Sequence, residues 1–459
     1  MAERLRLFGT DGIRGRVPYG PLAAASVVRL GQAIAEVARE AGIPPLVVVG
    51  RDTRRSGPFL EAALTAGLLE RGLDVLPVGV IPTPGIAWLT RRYGAGLGVM
   101  ISASHNPYPD NGIKILAQTG FKIADEVEQE IERLVEEGIP PVAGDGWRVG
   151  TVMEVPEAPE EVYLSALLSR AGGNLPLRGW HLVVDCAHGA TYRVAPELFR
   201  RLGARVTVLH AEPDGENINR GCGSEHPEAL QETVRQTGAS AGIALDGDGD
   251  RVMLVDEGGK LLDGDAMLYI LARDLQAAGR LRGGVVVGTV MANLGLEKAL
   301  EEMGVRLERT PVGDRYVAQR MLEGNWVLGG EPSGHVVIFG EGSTTGDGLY
   351  TALKVLGMAA REGRPLSALA SGFRPFPQVV RNVPVMRRPP LSAVPELVEA
   401  EAVVRKRLGS RGRVLLRYSG TQPLLRVMVE GEDEAEVTWA AGLLAEVGER
   451  VLGGGKAAR

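Results

Sequence analysis

Only two cysteines, Cys186 and Cys222, occur in 459 residues, so no disulfide framework holds this chain together. Cys186 follows the apolar run 182–184 and reads as a buried thiol. Aromatic residues make up 5% of the chain and the net charge is −6, which excludes both a stacking platform for single strands and a basic face for a phosphate backbone. Lysine is scarce, 7 residues against 44 arginines, a bias heat adaptation does not by itself explain. No run approaches the roughly 18 apolar residues of a membrane span. The opening MAERLRLFGTDG lacks the apolar core of a signal peptide, so the expectation is a cytoplasmic protein with no membrane or nucleic-acid partner. Glycine is in excess, 63 residues. That is about twice the usual share of roughly 7% and has no collagen-like period, which assigns it to turns and loops.

A unit recurs along the chain. From Leu46 the sequence reads LVVVG, a polar loop, an amphipathic stretch ending at glycine, then a second apolar run; similar units start at His181 and Gly284. Continuous Val/Ile runs suit strands covered on both faces, and a glycine after an amphipathic stretch suits a helix end. These are βαβ units, spaced too far apart for a solenoid. The tail differs: 395–408 and 433–452 read as helices, 413–418 and 424–430 as strands. The expected fold is α/β with four domains: three similar mixed-sheet domains (1–150, 151–253 and 254–371) and a smaller C-terminal α+β domain (372–459).

Five loops carry chemistry. Phe8–Gly15 (FGTDGIRG) has three glycines that admit close backbone approach, and Arg14 offers a donor fork for phosphate. Ile101–Pro107 (ISASHNP) follows an apolar strand, where α/β sheets bind ligands, and continues to Lys114. A neutral serine there needs a base, a metal or a positive field to react. Asp246–Arg251 (DGDGDR) is the sharpest signal, since three alternating carboxylates converge only around a cation. Hard oxygen donors suit Mg²⁺ or Ca²⁺; an EF-hand is ruled out because Arg251 stands where its glycine belongs and the flanks are strand-like. Gly329–His335 (GGEPSGH) offers a carboxylate, a hydroxyl and an imidazole suited to sugar hydroxyls or an ammonium. Arg417–Pro423 (RYSGTQP), with Arg426, has the composition of an anion site.

Together, in order and spacing, these five loops resemble the α-D-phosphohexomutase superfamily over nearly the whole chain. The finer stretches DCAHGATY, STTGDGLYTAL and RVMVEG are most similar to its bacterial members acting on glucosamine phosphate. The resemblance implies an active site in a central cleft. It implies interconversion of glucosamine 6-phosphate and glucosamine 1-phosphate through a phosphoserine and a 1,6-bisphosphate, feeding UDP-N-acetylglucosamine and cell-wall synthesis. A phosphomannomutase/phosphoglucomutase is the alternative; a serine phosphatase and a sugar-phosphate or metal-binding protein are more distant ones. It implies that Ser104 is the phosphoserine and that Asp246, Asp248 and Asp250 bind one Mg²⁺ with it. Arg251 would contact that phosphate, and Arg14, His105 and Lys114 would line the reaction centre, with the base unranked among these three. Glu331, Ser333 and His335 would read the sugar. Arg417, Ser419, Gly420, Thr421 and Arg426 would hold the non-reacting phosphate. A hexosamine or hexose 1,6-bisphosphate activator and a homodimer are implied too. Tyr418, Gln422 and Pro332 depart from the family's usual residues.

Overall fold

The computed structural model describes residues 7–141, 148–171, 175, 177–340, 343–419 and 423–453. Two compact units divide it: Met1–Met291 with Val305–Ser371, and Ala292–Gly304 with Gly372–Arg459.

The first unit contains three mixed sheets. The first runs Ile13–Arg16, Asp110–Ala117, Leu97–Ile101, Leu46–Arg51, Asp74–Val80; its last three strands are parallel and the others antiparallel. The second sheet repeats that plan with Val252–Val255, Ala241–Leu245, His181–Asp185 and Arg205–Leu209, plus Leu261–Leu262 at its edge. The third does so with Val336–Ile338, Leu328–Gly330, Val285–Thr289 and Arg306–Thr310. The repeat expected from sequence is therefore one topology used three times. Val47, Val48 and Val49 are wholly buried, as a strand covered on both faces requires.

That plan places the chemistry. In each sheet one loop joins the outer parallel strand to its antiparallel neighbour. These three loops are 102–109, 246–251 and 331–335, the serine, aspartate and glutamate motifs. Three unlike motifs thus occupy one equivalent position in three copies of a domain.

Helices Ala24–Glu40 and Gly57–Glu70 cross at glycines, because a Cβ on Gly67 would lie 2.1 Å from the Val28 carbonyl oxygen. Asp263 and Asp347 cap helices Gly264–Ala277 and Gly348–Glu362 through their side chains, satisfying otherwise orphaned N–H groups.

The second unit has an antiparallel sheet, Gln378–Pro384, Leu424–Gly431, Gly412–Tyr418, with helices Pro395–Leu408 and Glu434–Leu452. Leu397, Val404, Leu425, Val427 and Leu444 pack in its core. The strand Gln378–Pro384 lies at the start of the expected C-terminal domain, ahead of the two strands expected there from sequence. The helix Leu294–Glu302, which joins two parallel strands of the third sheet, groups with this unit in packing: Leu294 N–H donates to Glu430 Oε1 at 3.1 Å.

Candidate active site

Ser104 sits in a left-handed conformation, φ 51°, which a non-glycine residue adopts only when its surroundings force it. Its side chain is fully buried, and Oγ donates to Asp246 Oδ2 at 2.5 Å. His105 Nδ1 lies 3.5 Å from the same oxygen. The glycines of 246–251 turn the chain tightly enough for Asp246, Asp248 and Asp250 to converge, with one ligand oxygen of each within 4.8 Å of the others. Asp248 Oδ1 and Asp250 Oδ1 are buried without a hydrogen bond. Buried carboxylates with unspent oxygens are a fit for a hard cation, so the triad can bind a metal.

Lys114 supplies one positive charge already. Its Nζ lies 2.8 Å from Asp248 Oδ2, 3.0 Å from Asp250 Oδ2 and 3.0 Å from Asp11 Oδ2. Burial opposes its charged form, but those three carboxylates outweigh burial and hold its pKa well above the ordinary lysine value. Asp246 lies the other way: burial first, then Asp250 and Asp248, push its pKa well up. Burial also works against ionised Asp250, yet Lys114 and His335 hold its carboxyl well below the usual range. The Arg251 backbone N–H donates to Asp246 Oδ1 at 3.2 Å, and its guanidinium lies 3.5 Å from Glu225. Burial, followed by Arg251, lowers the His105 pKa.

A cavity of about 420 Å³ opens onto these groups, lined among others by Arg14, His105, Arg251, Glu331 and His335. Arg14 donates to Asp11 at 2.5 Å and to Asn106 at 3.3 Å. Glu331 Oε1 accepts from the Gly313 N–H at 3.1 Å. His335 stands between Asp250 (3.7 Å) and Asp314 (3.6 Å). Burial alone would lower its pKa, but Asp250, Asp314 and Glu331 raise it to about 9. Ser333 is half-buried in the same turn and is not among the cavity-lining residues.

Sequence reasoning assigned no role to three members of this network. Asp11 takes Lys114, Lys122 and Arg14 at once, and Lys122 reaches Asp314 at 2.6 Å. Asp11 was visible inside FGTDGIRG. Lys122 and Asp314 are single charges in ordinary polar stretches, and nothing in the sequence marks them.

In the second unit Arg417 and Arg426 face each other directly across neighbouring strands. Like charges in that register repel, and burial together with Arg426 lowers the Arg417 pKa. Arg426 Nε is buried without a partner. Such a pair suits an anion. Ser419 is buried beside it; Gly420 and Thr421 lie outside the described residues.

Four successive domain models of the phosphoglucomutase/phosphomannomutase family match the chain: α/β/α domain I at 5–140, II at 161–259, III at 263–376 and the C-terminal domain at 381–446. The chain belongs to this family of mutases. Among curated relatives it is 50% identical to the phosphoglucosamine mutase of Symbiobacterium thermophilum over 96% of this chain and 98% of that one. It is 52% identical to that of Moorella thermoacetica over 94% and 96%. A phosphoglucomutase/phosphomannomutase family protein from Burkholderia thailandensis has the same fold, with TM-score 0.80, 25% identity and 97% coverage of both chains. The N-acetylphosphoglucosamine mutase of Aspergillus fumigatus shares the fold at TM-score 0.67 and 18% identity, over 97% of this chain and 96% of that one.

Proposed function

We propose that the chain interconverts glucosamine 6-phosphate and glucosamine 1-phosphate, with Ser104 as the phosphoryl carrier and a 1,6-bisphosphate as intermediate. The observation that carries the chemistry is the Ser104 hydroxyl set 2.5 Å from Asp246 within a buried acidic triad. The amino sugar is supported by the full-length relatives at about 50% identity, which are phosphoglucosamine mutases.

Asp246, Asp248 and Asp250 would hold Mg²⁺, a hard ion that takes few carboxylates and keeps room for phosphate oxygens. When bound it stabilises charge on the serine oxygen and the transferred phosphoryl group. A phosphoserine carries nearly two negative charges, so side-chain cations must share the load. Arg251, Arg14 and Lys114 supply them. Phosphoryl transfer then needs mainly positioning and charge stabilisation. Ser104 gives its phosphoryl group to one hydroxyl of the sugar phosphate. The bisphosphate turns about, and its other phosphate returns to Ser104. Of the three candidate bases, Lys114 and Arg14 are held on carboxylates, whereas His105, which lines the cavity as Arg14 does, stands 3.5 Å from Ser104 Oγ. His105 takes the substrate proton in this reading.

Glu331 reads the sugar from the cavity wall, with Ser333 and His335 from the same turn, and Arg417, Ser419, Gly420, Thr421 and Arg426 hold the non-reacting phosphate. The reading includes a hexosamine or hexose 1,6-bisphosphate as activator, a homodimer and a cytoplasmic setting, where sugar phosphates feed UDP-N-acetylglucosamine synthesis. Among the described residues no helix is long and apolar enough to cross a membrane.

The test compares kcat/KM for the 6-phosphates of glucosamine, glucose and mannose, with Mg²⁺ and a trace of bisphosphate. Preference for glucosamine 6-phosphate is expected; preference for glucose or mannose overturns the sugar and keeps the chemistry. Ser104→Ala should abolish turnover. Full mutase activity in that variant would remove Ser104 from the mechanism.

A further inference from the structure

The strain at Ser104 has identifiable restraints. Arg54 is fully buried, and all five of its N–H groups are used. Nε donates to Asp52 Oδ2 at 2.8 Å. Nη1 donates to the carbonyls of Pro107 (2.7 Å) and Asp110 (3.1 Å), and Nη2 to those of Ser104 and Asn106, both at 2.9 Å. Asn219, from the second α/β domain, reaches the same two carbonyls: Nδ2 donates to Ser104 O at 2.9 Å and Asn106 O at 3.1 Å. On the other side, the Ser104 N–H donates to Ser102 Oγ at 2.9 Å, and that hydroxyl donates to Asp52 Oδ2 at 2.6 Å. Arg54, Asp52 and Ser102 therefore close a ring through both backbone polar atoms of Ser104, and Asn219 adds a latch from another domain.

The latch is braced in turn. Asn219 is left-handed, φ 58°, and its N–H donates to the Ala187 carbonyl at 2.9 Å. Asp185 holds that segment, accepting from the N–H groups of Ala187 (2.9 Å) and Gly223 (3.0 Å) and from His210 Nδ1 (2.9 Å). Asp185, His210 and Cys222 have the spacing of a metal site. The Asp185 carboxylate is nonetheless occupied by these bonds, and the cluster reads as a brace. Gly247 leaves the latch its room, since a Cβ there would lie 2.5 Å from the Ser104 carbonyl oxygen and 2.9 Å from Asn219 Nδ2.

We propose that Arg54 and Asn219 are positioning residues for phosphoryl transfer, fixing the main chain of Ser104 from its carbonyl side so that Oγ stays on the acidic triad. This rests on the reading of Ser104 as phosphoryl carrier. Neither side chain is among those lining the cavity, so their effect belongs in kcat and not in KM. A displacement of about 1 Å at a reacting atom can cost about 100-fold in rate.

The experiment measures kcat, KM and single-turnover transfer from phospho-Ser104 to glucosamine 6-phosphate, with phosphoserine occupancy followed by intact mass. Asn219→Ala is expected to lower kcat and the single-turnover rate by about 10-fold or more at an unchanged KM. Asn219→Asp, the same shape with an oxygen in place of the donor, should lose at least as much. Arg54→Ala should lose more and recover in part on adding guanidinium, whereas Arg54→Lys, which cannot span five acceptors, should stay impaired. If Arg54→Ala fails to fold, the Asn219 variants decide. Folded Asn219 variants with wild-type kcat, or with the loss confined to KM, overturn the proposal. A wild-type enzyme without phosphate on Ser104 overturns the functional reading itself, and this inference with it.

Discussion

Lys114 shows how much one side chain decides in a buried acidic site. It holds Asp248 Oδ2 and Asp250 Oδ2, so its charge opposes that of any metal on the triad, while helping to keep the Asp250 carboxyl ionised. Lys114→Met is expected to bind Mg²⁺ more tightly, by titration calorimetry, because a competing charge is gone. Its kcat should fall by about 100-fold or more, because one charge-stabilising donor is lost. Weaker metal binding would mean that Lys114 orders the ligands instead of competing for them. His210 gives a pH test away from that site. The Asp185 hydrogen bond raises its pKa above the ordinary 6.5, against burial. A raised folded pKa means stability that is fully present below about pH 6.5 and lost as pH rises through the folded value. His210→Gln should therefore lower the melting midpoint more at about pH 5.5 than at about pH 9. An equal loss at both would assign His210 a purely steric role. His188, edge-on to His210 at 5.3 Å, is pushed the other way by burial and then by that charge.

At the scale of elements, the legible features were those that repeat or alternate. LGVMI before SASHN and AGIAL before DGDGD announced strands ending in reactive loops, and the structure puts both loops, with 331–335, at one equivalent position. The strand Gln378–Pro384 was not legible because most of its residues are exposed, so no apolar run or clean alternation marks it. Arg54 and Asn219 escaped for another reason: their partners are main-chain carbonyls, which leave no sequence pattern. Gly31 and Gly67, one on each of the crossing helices, were equally silent. Alanine at Gly67 would gain about 1 kcal/mol in helix propensity. However, its Cβ would sit 2.1 Å from the Val28 carbonyl oxygen, a backbone atom that cannot swing aside. Overpacking of that kind costs about 1–3 kcal/mol, so the clash should win. Gly67→Ala is expected to lower the thermal midpoint; a higher midpoint would show that the crossing opens freely.

For the whole molecule, the division of labour can be tested through the intermediate. Ser104 and the acidic triad lie in the unit formed by Met1–Met291 and Val305–Ser371, whereas Arg417 and Arg426 lie in a unit with its own sheet and core. The proposed reaction needs the bisphosphate to reverse without escaping, so whatever grips the non-reacting phosphate must hold through the turn. Two guanidinium groups set opposite one another, one with a buried unpaired Nε, are costly without an anion. Charge-assisted contacts to phosphate repay that cost only when the ligand is bound. Arg426→Ala should leave the first transfer from phospho-Ser104 largely intact and let the bisphosphate escape before the second. The expected signature is bisphosphate released into solution, detected by quenching during turnover. Steady-state activity should then rise steeply with added bisphosphate, where the wild type needs only a trace. If instead the variant loses the first transfer and releases no bisphosphate, the second unit acts on the chemical step itself, and the assignment of grip to one unit and chemistry to the other fails.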